Sequence, residues 1–322
     1  MVRVVDAYGH FVLEELHEAM LSQRSDMYTS DTYRAVRELT LEEYIDDMDD
    51  VGVDHMILSQ QPARVWKGLD ADEALSFTRL ANDEIRSVAD QYPDRFTPVA
   101  TLPFLTDEYI DEFHRCIEEL DMAGVQIFTN SGDRPLDSEA VYPFYEAVEE
   151  ADVPIWLHPQ DSAAWSDWDN LNKYSLSLIY GWPCETSIAM TRLVLSGVMQ
   201  RYPDLSIICH HMGGPVAHFS NRIEAFYTWR DEADNPYPAA SIDDDIRKFY
   251  PDTARQGSPD ILEDGCEFFG QEKMVFGTDY PFGPNMGKGF LTAEREAVAE
   301  MDVSETVKQR ILGGNIESLV DL

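Results

Sequence analysis

The chain has 322 residues, 44% of them hydrophobic and 11% aromatic, enough apolar material for one large domain or two modest ones. Asp and Glu number 61 against 24 Lys and Arg, a formal net charge of -37. A field of that sign repels phosphate backbones and anionic lipid, which argues against nucleic-acid and membrane-surface roles. No apolar run approaches the ~20 residues of a spanning helix. The first residues, Met1 to Asp6, lack the apolar stretch of a secretory signal, so a soluble, cytoplasmic protein is expected.

The acidic residues are spread along the chain, and only six of the 24 basic residues are lysines. Dense carboxylate with scarce Lys suits a halophilic protein, because concentrated salt shortens the Debye length and screens self-repulsion. The four cysteines, Cys116, Cys184, Cys209 and Cys266, lie far apart with no CxxC pair. Neither a disulfide framework nor a thiolate zinc site is expected of them.

In chain order, residues 2–7 read as a first strand, followed by a long connection over 11–38. Thr40-Leu41-Glu42-Glu43 has capping-box spacing and predicts a helix ending near Gly52. A strand at 55–60 precedes a long helical pattern at 70–91, stopped by Tyr92-Pro93. Strands at 97–101, 124–129 and 154–158 then alternate with helices at 106–122 and 142–151. A second long connection, 159–182, is rich in Trp, Asp, Asn and Ser, and leads to a helix at 185–201 halted by Tyr202-Pro203-Asp204. A strand at 206–211, a third long connection at 228–247, and strands at 249–253 and 274–279 follow. Helices at 292–301 and 304–312 close the pattern, with Gly313-Gly314 as a stop. Eight strands alternating with helices predict a single (β/α)8 TIM barrel with long βα loops, one domain over residues 1–322.

Catalytic groups in such barrels project from the C-terminal ends of strands. Those ends carry His10, His158, the pair His210-His211, and Asp279, so four of the eight histidines gather there. Imidazole and carboxylate converging from several strands suit one divalent first-row metal, zinc first, with Mn, Fe or Co as alternatives. Taken singly, each histidine reads equally as a hydrogen-bonded core residue. His210, next to His211 on a strand, is expected to point to the opposite face and to be structural.

The motifs go further. Asp6-Ala7-Tyr8-Gly9-His10, Leu157-His158-Pro159, Trp182-Pro183-Cys184-Glu185-Thr186, His211-Met212-Gly213-Gly214 with Arg222 eleven residues on, and Gly277-Thr278-Asp279-Tyr280-Pro281-Phe282 stand in order along the chain. Together with Arg201-Tyr202-Pro203-Asp204 and Ile311-Leu312-Gly313-Gly314-Asn315, the sequence resembles an amidohydrolase-related protein of the aminocarboxymuconate-semialdehyde decarboxylase type. That resemblance implies a metal held by the strand-one residues, His158 and Asp279. It makes His211 the acid/base group and Arg222 a clamp on a substrate carboxylate. In relatives this arginine can serve a neighbouring subunit's site, which implies a homodimer or higher homo-oligomer.

One position departs from the family. Tyr8 stands where a first histidine is usual, and it can ligate as phenolate, hydrogen-bond a metal water, or fill the space. Among lesser candidates, Glu185 either caps a helix or lines the site, and Trp182, Trp165 and Trp168 either wall an aromatic substrate or pack the loop. A second basic clamp is not evident, with Arg34, Arg37 and Arg64 as substitutes. The leading expectation is a metal-dependent non-oxidative decarboxylase of a small unsaturated or aromatic carboxylic acid, with His211 and Asp279 catalytic. A hydrolase or hydratase acting on a lactone, amide or double bond, and a non-catalytic barrel with a degraded metal site, are the rivals.

Overall fold

A computed structural model describes residues 3–11, 39–60, 66, 69–132, 134–160, 173–229 and 242–322. Its barrel strands are β1 (Val5–Phe11), β2 (His55–Gln60), β3 (Phe96–Pro98 and, after Val99, Ala100–Leu102), β4 (Val125–Phe128), β5 (Ile155–His158), β6 (Ile207–Cys209) and β7 (Tyr250–Pro251). All neighbouring pairs from β1 to β7 are parallel. The eighth position is taken by residues 274–279, which bridge Asp252 through Val275 on one side. On the other side, Ala7 N donates to Phe276 O at 2.7 Å and Asp279 N to Tyr8 O at 3.1 Å, closing the cylinder. The (β/α)8 barrel read from the alternation is the fold, although the eighth segment lacks the regular ladder expected of a strand.

The longer helices are α1 (Leu41–Val51), α2 (Ala71–Gln91), α3 (Asp107–Glu118), α4 (Tyr142–Ala151), α5 (Trp182–Ser196), α6 (Val216–Thr228), α7 (Pro259–Phe269) and α8 (Lys288–Glu300). Helix α1 starts and stops as its sequence dictates. Thr40 and Glu43 form the reciprocal capping box, and Gly52 ends it at φ 79°, a left-handed conformation that glycine adopts without a Cβ clash. Asp70 and Glu73 cap α2 in the same way. Helix α7 follows a short β7 and was not anticipated; Pro259 occupies its first turn, where a missing N–H costs nothing.

Side chains alternate along each strand between two apolar layers. Ile155 and Leu157 join the core shared with the helices, whereas Trp156 fills the barrel interior with Val5, Ala7, Ile57, Val99, Ile208 and Val275. The Trp156 indole N–H donates to Ala7 O at 2.8 Å, so the ring is fixed across the barrel from β5 to β1. Truncating so large a buried ring costs about 3–5 kcal/mol. This packed plug forms the floor on which the polar residues at the strand ends sit. Most of the three long connections expected from the sequence, including Trp165, Trp168, Arg34 and Arg37, and also Arg64, lie outside the described residues.

Candidate active site and metal centre

His10, His158, His210 and Asp279 meet at the C-terminal mouth of the barrel, with one ligand atom from each all within 4.8 Å of one another. They come from β1, β5, the end of β6 and the eighth segment. Asp279 is the hub, because its Oδ1 lies 3.3 Å from Nε2 of both His10 and His210, and its Oδ2 lies 3.8 Å from Nε2 of His211.

Each imidazole is oriented from behind. His10 Nδ1 is 2.9 Å from Ser59 Oγ, and that hydroxyl donates to Gln126 Oε1 at 2.8 Å. The Gln126 amide nitrogen is committed to Gln60 O at 2.8 Å, so its oxygen faces Ser59. The serine proton being spent on Gln126, Ser59 accepts from His10 Nδ1–H, and the lone pair of His10 lies on Nε2. His158 Nδ1 lies 2.6 Å from Pro159 O, a carbonyl that only accepts, which again leaves the lone pair on Nε2. His210 Nδ1 donates to the buried carboxylate of Asp252, whose other oxygen accepts from Met212 N and Ala254 N. Carboxylate, hydroxyl and carbonyl partners behind histidines are the usual outer shell of a metal site.

The electrostatics of His10, His158 and Asp279 suit the same purpose. Burial lowers His10, and burial together with His210 and His10 holds His158 well below its ordinary value, so both are neutral and able to ligate. Burial opposes charge on His210, but the carboxylates of Asp252 and Asp279 outweigh it and raise this group to about 9. Burial also opposes charge on Asp279, yet contacts from His10, His210 and His211 hold it well below the carboxylate range. Among the described residues, His10 Nε2 and His210 Nε2 are buried and make no hydrogen bond, meeting the Asp279 carboxylate only as an ion-pair contact. Unsatisfied buried nitrogens are costly, and a shared cation removes that cost. Three imidazoles and one carboxylate are a donor set suited to a first-row divalent ion. The residues present fit one metal.

His210 corrects the sequence reading. Alternation along β6 puts His210 in phase with Ile208, inside the barrel. The strand ends at Cys209, and His211 takes φ 54°, in the left-handed region, so alternation does not carry through to it. Both imidazoles therefore turn toward the mouth, with ring centroids 3.9 Å apart. Two adjacent histidines at a strand end, with an apolar residue two places earlier, carried that signal. Asp252 and Ser59 were also missed, although each stands at a strand's C-terminal end.

Tyr8 lies against all three imidazoles, stacked on His210 at 4.0 Å and edge-on to His10 at 5.6 Å and His158 at 6.0 Å. Burial, then the fields of Asp252 and Asp279, raise its phenol well above its usual value, and among the described residues its hydroxyl has no hydrogen-bond partner. Asp6, first in the strand-one motif, serves the frame instead: it accepts from Thr278 Oγ1 and Tyr8 N, tying β1 to the eighth segment. Trp182 presents its edge to His158 at 5.6 Å, and Glu185 is buried in the first turn of α5. Arg222 is exposed on α6 with its guanidinium 4.5 Å over the Phe226 ring, and it is not brought into the buried cluster of its own chain.

The Amidohydrolase family model matches residues 5–322. A 2-amino-3-carboxymuconate-6-semialdehyde decarboxylase of Dictyostelium discoideum is 29% identical over 84% of this chain and 74% of its own length. A gamma-resorcylate decarboxylase of Polaromonas sp. is 30% identical, covering 85% of each chain. Among solved structures, a dihydroxybenzoic acid decarboxylase from Polaromonas sp. JS666, with bound manganese and the inhibitor 2-nitroresorcinol, superposes with a TM-score of 0.85 at 25% identity, over 99% of this chain and 97% of that one. All three relatives are decarboxylases. With the barrel closed, the metal-fitting cluster at its mouth and the match running almost end to end, the chain belongs to the amidohydrolase family.

Proposed function

We propose that this chain is a metal-dependent non-oxidative decarboxylase of a small unsaturated or aromatic carboxylic acid. The observation that carries the reading is the convergence of His10, His158, His210 and Asp279 on one point beside His211. Those four residues would hold the ion, with zinc first and manganese, iron or cobalt as alternatives. A divalent cation bound there supplies Lewis acidity to a substrate oxygen next to the scissile carboxylate. Tyr8, held neutral by burial, walls the cluster and offers a hydrogen-bond donor.

The chain's own groups manage the proton and the substrate. Burial and His210 keep His211 below its ordinary value while Asp279 favours its charged form, so it can take up a proton and return it. In the reaction the bond from carbon to carboxylate breaks and its electron pair stays on that carbon. The proton from His211 joins the carbon as CO₂ leaves. Trp182, edge-on to His158, walls a flat substrate, with Glu185 behind it at the start of α5.

A second copy completes the reading. Phe219, Arg222 and Phe226 share one face of α6, and Phe219, Phe226 and Trp229 are all at least half exposed. Apolar exposure of that kind on a chain of charge -37 supports an interface with a second copy there. A homodimer through it would carry Arg222 toward the neighbouring site, as a clamp on the substrate's acid. Four free thiols, none in a disulfide, accord with a reducing cytoplasm. The acidic surface accords with a halophilic setting.

The test is product analysis on the metal-loaded protein with a panel of hydroxybenzoic and unsaturated acids. Release of CO₂ matched by loss of the carboxyl group from the product is expected. Gain of water without CO₂ would instead make this a hydratase or hydrolase.

A further inference from the structure

Beyond β7 the chain runs through Asp252, Thr253 and Ala254 to Arg255. Thr253 Oγ1 donates to Gly277 O at 2.9 Å, so Arg255 stands two residues past Thr253 as Asp279 stands two past Gly277. Both therefore belong to the rim of the mouth. The turn that carries Arg255 is fixed by one buried carboxyl from α8. Glu294 Oε1 accepts from Arg255 N at 2.7 Å and Gly257 N at 3.2 Å. Gln256 and Gly257 take φ 57° and 84°, left-handed values that this clasp stabilises.

The guanidinium of Arg255 is not neutralised by a carboxylate as many of its counterparts are. Arg79, Arg86, Arg95, Arg115 and Arg192 each hold a carboxylate. Arg255 is only partly exposed, yet among the described residues its side chain has neither ion pair nor hydrogen bond. Burial pulls it below its ordinary value, and the fields of Asp252 and Glu294 act against that. Asp252 is the residue that orients His210, so the field felt by Arg255 comes from the cluster's own frame. With 61 acidic side chains available, a partly buried fork left without a carboxylate of its own is open to an incoming anion.

We propose that Arg255 is the same-chain anchor for the substrate's carboxylate, with Glu294 as its positioning residue. This rests on the decarboxylase reading for the identity of the acid, but not for the binding event. Guanidinium and carboxylate match as two parallel hydrogen bonds, which would orient the acid over the cluster before the proton moves.

The experiment measures binding to the metal-loaded protein by calorimetry at fixed low salt, with 2,6-dihydroxybenzoate and with resorcinol, the same ring without the carboxylate. The wild type should prefer the acid. Arg255→Gln should weaken the acid by about 10- to 100-fold and leave resorcinol unchanged, with Arg255→Lys between the two. Glu294→Gln, which keeps an acceptor for the turn, should retain most of the affinity, whereas Glu294→Leu should lose it as Arg255→Gln does. Equal affinity of wild type and Arg255→Gln for the acid, parallel loss of both probes, or no preference for the acid in the wild type would each overturn the proposal. Turnover separates the two readings. Binding through Arg255 without CO₂ release sinks the decarboxylase assignment alone, and CO₂ release with an unchanged KM in Arg255→Gln sinks this inference alone.

Discussion

His210 turns its Nδ1–H onto the buried carboxylate of Asp252 and its Nε2 onto Asp279 Oδ1, 3.3 Å away. Asp252 thus decides which nitrogen of His210 faces the centre. In Asp252→Asn the amide oxygen can keep the Met212 and Ala254 backbone donors, but the amide nitrogen then meets Nδ1–H donor to donor. Metal affinity should fall about 10- to 100-fold with little change in Tm. Competition against a chelator measures it, and an unchanged affinity would remove Asp252 from the metal's support.

His211 stands apart from the four clustered ligands yet within 3.8 Å of Asp279. If its task is the proton, His211→Asn should lower kcat by about 10²- to 10⁴-fold while metal content per chain stays at the wild-type value. Steady-state kinetics with elemental analysis of the same sample checks this. Loss of metal in parallel with kcat would make His211 a ligand instead.

Removing the metal should abolish activity and also destabilise the fold, because the cation binds only the folded arrangement of strand ends. After dialysis against a chelator, Tm should drop and then recover on adding zinc or manganese. In His158→Ala the recovery should be largely lost. Equal Tm with and without the ion would mean that the cluster is not a metal site.

Much of this is legible in the amino-acid sequence. The capping box at Thr40 marks a helix start because it is local, and four residues suffice to write it. The short β-rich runs alternating with helices likewise exposed His10 and His158 at strand ends. What the sequence concealed depends on where a strand stops. His210 was assigned to the wrong face because the strand pattern was carried on to residue 211, whereas the ladder ends at Cys209 and His211 turns at positive φ. Gln126 and Asp252 gain their roles only through partners 67 and 42 residues away, a closure that no local pattern encodes.

The acidic surface has its own consequence. At low ionic strength its charges repel one another, and salt screens them as the Debye length falls from about 10 Å at 0.1 M toward about 3 Å at 1 M. Tm should therefore rise steadily between about 0.1 M and about 2 M KCl, most steeply at the low end. A flat or falling curve would mean that the excess carboxylate is tolerated rather than adapted to salt.

Glu294 links stability to pH in a direction opposite to most carboxylates. Burial pushes it from 4.5 up to about 8, although the backbone N–H groups of Arg255, Gly257 and Gln256 favour its charged form. Between those two values the folded chain keeps a proton that the unfolded chain has released. Its contribution is then full below the unfolded value and is lost as pH rises through about 8. The slope from this one group is at most about 1.4 kcal/mol per pH unit. Glu294→Gln carries no such proton, so denaturant midpoints of the wild type and variant should diverge in the variant's favour as pH rises from about 6 to about 9. Curves that stay parallel over that range would place the Glu294 carboxyl in its ordinary ionised state, and the clasp on Arg255 would then be a charged one.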